Sequence, residues 1–148
     1  MKPSVLRMLS ALASLGVGFS PAMCHADALD SKLDCQSSPH DFIAALLDEQ
    51  SIDPKPMRIE ANSVNAFRPT HGSNLTAFGF HVYAVFGYEK DDPIFKQGSG
   101  QPVKHSTYGV VVTGSATSVA ASARRAGSNA VVHEVIPLVL AAVYCNGD

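Results

Sequence analysis

Hydrophobic and polar positions first organise themselves at "SPHDFIAALLDEQ", residues 38–50, where Phe42, Ile43, Leu46 and Leu47 share one helical face. Ser38 stands at an N-cap position, Pro39 suits the first helical turn, and Asp41 completes an S-x-x-D capping pattern. Pro54 and Pro56 forbid continuation past the early fifties. Next, Met57, Ile59 and Ala61 alternate with Arg58, Glu60 and Asn62, and the apolar phase then slips to Val64 and Ala66. That slip predicts a strand with a bulge near Asn62 or Ser63. "RPTHGSN" reads as a turn.

The stretch "LTAFGFHVYAVFGY", residues 75–88, predicts one central strand. Phe78, Phe80, Val82, Ala84 and Phe86 fall on one face, and Ala77, Gly79, His81, Tyr83 and Val85 on the other. Apolar residues on both sides imply cover on each face over part of the length. Residues 89–105 ("EKDDPIFKQGSGQPVKH") form the longest irregular stretch, and "STYGVVVT" returns as a strand.

Ser115 caps a second helix running to about Ala126, with Gly127 as its C′ residue and Arg124 and Arg125 at the negative end of its dipole. Its apolar stripe of Val119, Ala120 and Ala123 is thin enough for close approach to a sheet. "AVVHEVIPLVLAAVYC" closes the chain, and Pro137 marks an edge strand, a bulge or a break into two shorter strands. The order α-β-β-β-α-β predicts an α+β two-layer sandwich. Its sheet is mostly antiparallel, of about four strands, packed on one or two helices. The helical crossover either sets the third and fourth strands parallel in one sheet or returns the last strand elsewhere.

The N-terminus changes the picture. Lys2 and Arg7 precede the acid-free apolar run Met8–Phe19, Ser20-Pro21 breaks it, and "CHA" offers small residues before Asp27. This is the pattern of a secretory signal peptide over residues 1–26, cleaved after Ala26. Residues 27–148 then form one α+β domain of a bacterial periplasmic protein, with secretion to the medium as the alternative. A lipid anchor at Cys24 fits poorly, because Met23 and Pro21 occupy the positions before it. Past Ala26 the chain keeps nine of 11 basic and all 13 acidic residues, a formal charge of −4. Such dispersed acidity argues against nucleic acid, and no later apolar run reaches transmembrane length. Loss of Cys24 leaves Cys35 and Cys145 as a pair, expected to form one disulfide in an oxidising compartment.

Candidate chemistry is sparse. The strand–turn–helix around "TGSATS" has one glycine and no lysine, so neither a Walker loop nor a dinucleotide fingerprint is present. Ser115, Thr117 and Ser118 remain candidates for holding a small anion at a helix start, against a plain serine cap. No G-x-S-x-G elbow or H-E-x-x-H pair occurs, and His71, His81 and His105 are dispersed. No cofactor or metal is expected.

What remains is surface. Ile94 and Phe95, set among Asp91, Asp92 and Lys96, are either a loop anchor or a recognition tip. The edge near Pro137 is a second candidate contact, including for strand pairing between two copies. The sequence therefore leads to a non-enzymatic recognition protein, of an inhibitor or immunity-like kind, that blocks a cell-envelope hydrolase or toxin. A homodimeric envelope accessory and a small-ligand binder using the Gly79/His81 face are the alternatives.

Overall fold

A computed structural model describes residues 27–147. The signal peptide expected over residues 1–26 lies outside the described residues. In chain order the elements are β1 (Asp27–Ala28), a 3-10 turn (Asp30–Leu33), α1 (Pro39–Asp48), β2 (Arg58–Ile59), β3 (Asn65–Phe67) and β4 (Leu75–Ala77). They continue with β5 (Phe80–Tyr88), β6 (Thr107–Thr113), α2 (Ala116–Arg125), β7 (Val131–Ile136) and β8 (Leu140–Asn146). The sheet runs β1-β4-β5-β6-β8-β7, with the β2–β3 hairpin joined to β5 through β3. Every pairing is antiparallel except β1 with β4. The fold is α+β, with a mostly antiparallel mixed sheet, two helices and one disulfide.

Both helices begin where local chemistry puts them. Ser38 Oγ accepts from the Asp41 amide at 3.0 Å and Ser115 Oγ from the Ser118 amide at 3.2 Å, each satisfying a donor with no partner inside its helix. Gly127 follows α2 at φ +75°, the left-handed C′ conformation.

The sheet has eight strands where about four were expected, because three of the expected segments are split by reversals and Asp27–Ala28 adds a short strand. Residues 75–88 make the β4–β5 hairpin: Ala77 pairs with Phe80 across a two-residue loop, and Phe78 and Gly79 stand at φ +51° and +85°. Two positive φ values are the signature of a type I′ turn. The phase slip at Asn62–Ser63 is a tight reversal, in which the Glu60 amide donates to the Val64 carbonyl and Ser63 sits at φ +71°. At Pro137 the chain breaks into β7 and β8, the last of the three expected options.

One core lies between the sheet and both helices. It joins Phe42, Ile43 and Leu46 of α1 and Val119 and Ala123 of α2 to Tyr108, Val110, Val112, Ala141 and Val143 of the sheet. The Phe42 and Tyr108 rings pack at 4.8 Å between centroids. Each fully buried side chain of this kind contributes about 1.5–3 kcal/mol over exposure. Cys35, just before α1, is bonded to Cys145 on β8, with Cα atoms 5.2 Å apart at a sequence separation of 110.

An uncovered concave face of the sheet as candidate functional site

Because α1 and α2 feed the same core, the opposite face of the sheet has no helix over it. Local irregularities shape that face. In β5, Val82 pairs with Val112 and Ala84 with Val111, so Tyr83 is the extra residue of a bulge. The bulge flips the alternation. Val85 goes into the core, while Tyr83 stands 56% exposed on the outer side with Ala84 and Phe86 near it. Gly109 on β6 passes β8 so closely that a Cβ there would lie 2.1 Å from the Val143 carbonyl oxygen. Only glycine permits that pass.

The β2–β3 reversal forms one wall. Glu60, Ala61 and Asn62 share a cleft with His133 and Val135 of β7. Met57, Arg58, Ala66 and Arg68 line a neighbouring cleft with Tyr83, Val111, Val135 and Leu140. Val64, Phe86, Ala142, Tyr144 and Asn146 continue the floor. The result is an open trough, apolar and aromatic on its floor and charged at its margins.

The long loop after β5 supports this wall. The amides of Gly100 and Val103 donate to the carbonyls of Ala61 and Asn62, both at 2.9 Å, and the Gly98 amide donates to Ser63 Oγ. Buried Asn65 donates from Nδ2 to the carbonyls of Ser63 and Lys96 and accepts the Lys96 amide at Oδ1. A buried amide satisfied three times is costly to disturb.

Beside the trough, the β7–β8 hairpin ends in Ile136, Pro137, Leu138 and Val139, all exposed, with Leu138 at 81%. The Val139 amide donates to the Ile136 carbonyl at 3.0 Å, and Leu138 stands at φ +62°. Pro137 followed by a positive φ makes this a type II turn with leucine where glycine normally sits.

Of the residues singled out in the sequence, Pro137 stands in this hairpin tip and the others lie elsewhere. Phe95 is 7% exposed and packs against Tyr88, with ring centroids 6.4 Å apart, and Ile94 is half-buried against the core. Of their two expected roles, this placement is that of a loop anchor. Asp92 accepts from the Ile94 amide at 2.8 Å and pairs with His40 Nδ1 at 2.5 Å, whereas Asp91 points to solvent at φ +61°. Lys96 serves through its backbone, clamping Asn65. Ser115 and Ser118 bond one another through their hydroxyls at 2.9 Å, and Thr117 is exposed beside them. Gly79 lies in the exposed β4–β5 turn rather than on a pocket floor.

On the core side, burial raises the Tyr108 phenol above its ordinary value, and the Asp34 charge pushes the same way. The hydrogen bond its oxygen accepts from the Ser37 amide opposes both. Among the described residues no three His, Cys, Asp or Glu side chains gather as a metal-binding group, and no helix is long and apolar enough to cross a membrane.

The trough was missed in the sequence because its residues are scattered over six strands. The one local signal was "VIPLV", an apolar run continuing through a turn. No protein-family model, curated protein or solved structure matches the chain.

Proposed function

We propose that the protein is a non-enzymatic recognition module of the cell envelope that binds another protein through the trough and the adjoining hairpin tip. The observation that carries this reading is an uncovered sheet face on which Tyr83 and, beside it, Leu138 stand open to solvent. A contiguous apolar patch rimmed by charged residues marks a contact surface on a soluble protein. Tyrosine is also among the residues that dominate binding energy once desolvated. The disulfide, the type II turn and the Asn65 clamp hold the surface in one shape, and such pre-organisation lowers the entropic cost of association. These features suit an inhibitor or immunity-like protein that obstructs an envelope-acting hydrolase or toxin.

The test replaces Tyr83 by a photo-crosslinking amino acid in producing cells, with the same replacement at exposed Arg124 of α2, on the helix side of the sheet, as control. A discrete adduct from position 83 and none from position 124 supports the reading. No adduct from position 83, with the protein folded and abundant, overturns it.

A further inference from the structure

We infer that the resting occupant of the trough is a second copy of the same chain, packed face to face about a two-fold axis. The inference rests on the reading of this face as a protein-contact surface and names the first protein to contact it.

Area is the first argument. Met57, Tyr83, Val131, Val135, Ile136, Leu138 and Val139 lie on or beside this face with exposures from 38% to 81%. At on the order of 100–150 Å² of apolar area for a full side chain of this kind, they leave roughly 450 Å² of it in water. The half-buried floor of Phe86, Val111, Leu140 and Tyr144 adds more. A typical monomer's largest patch is about 300–600 Å², whereas a standard interface takes about 800 Å² from each partner. Shape agrees: the molecule carries a concave trough with a convex apolar tip beside it, and an isologous contact offers each tip to the other copy's trough.

Sheets packed face to face keep their strands roughly aligned. Edge-to-edge pairing through β7 is disfavoured, because the register shifts between Glu134 and Ile136 and a charge sits on that edge.

The test is sedimentation velocity on the intact purified protein from about 1 to about 100 µM. The wild type is expected at twice the chain mass. Tyr83→Asp and Leu138→Asp should each raise the dimer dissociation constant at least about tenfold. Leu138 lies at an exposed tip, so its variant keeps the test valid if Tyr83→Asp fails to fold. A protein monomeric up to about 100 µM, or a dimer indifferent to both aspartate variants, overturns the inference. If self-pairing fails while position 83 still crosslinks to a chain of different mass, the recognition reading survives alone. If neither occurs, both fall.

Discussion

The Gly114 amide donates to the Val139 carbonyl at 2.9 Å, so the apolar tip between β7 and β8 is fastened to the turn that starts α2. The tip is therefore held in place although its side chains face water. Leu138 occupies a left-handed conformation that costs an L-residue about 1 kcal/mol and glycine almost nothing. Leu138→Gly should raise stability to urea by roughly 0.5–1 kcal/mol while weakening association through the tip. A variant that loses stability would show that the leucine side chain supports the fold instead.

The Cys35–Cys145 bond closes nearly the whole described chain into a loop. In the chain-entropy account, a closure of this length contributes on the order of 4–5 kcal/mol by restricting the unfolded state. Replacing both cysteines by serine should lower the unfolding free energy by about 2–5 kcal/mol in urea titration.

Phe95 anchors the loop that supports the trough wall. Phe95→Ala should cost about 3 kcal/mol or more, as truncation of a core aromatic does. Asp91→Ala, at an exposed position, should stay within about 0.5 kcal/mol of the wild type. Equal and small effects would return the loop to the role of a free tip.

Tyr108 gives the fold an alkaline limit. Burial favours the neutral phenol, so its pKa in the folded state lies above the unfolded value of about 10. The stabilisation is fully present below that unfolded value and is lost as pH rises through the folded one. Tyr108→Phe keeps the ring against Phe42 and removes the titration. Urea unfolding between about pH 8 and 11 should show the wild type losing stability relative to this variant above about pH 10. Parallel curves would contradict the assignment.

The helices and the disulfide were legible because their signals are local or combinatorial: a serine before Pro39, a serine before Ala116, and two cysteines left once the expected leader is set aside. The β4–β5 turn was not, because Phe78 stands where Asn or Asp usually marks a type I′ turn. Tertiary contacts hold it there: its amide donates to Asp30 and its ring is buried. Alternation along β5 placed Tyr83 with Val85, and one bulged residue separated them into solvent and core. Apolar residues on both faces of residues 75–88 read as a strand covered on each side over part of its length. That one face is bare depends on where the two crossing helices sit, which no periodicity records.

The most direct check needs no substitution. Hydroxyl-radical labelling read by mass spectrometry can compare Met57, Tyr83 and Leu138 in intact producing cells with the same residues in dilute purified protein, with exposed His71 as internal reference. If the trough is a working contact surface, all three are oxidised several-fold less in the cell, on the order of what burying them implies, while His71 is unchanged. Equal oxidation in the two settings would mean that nothing covers this face, and the recognition role would fail.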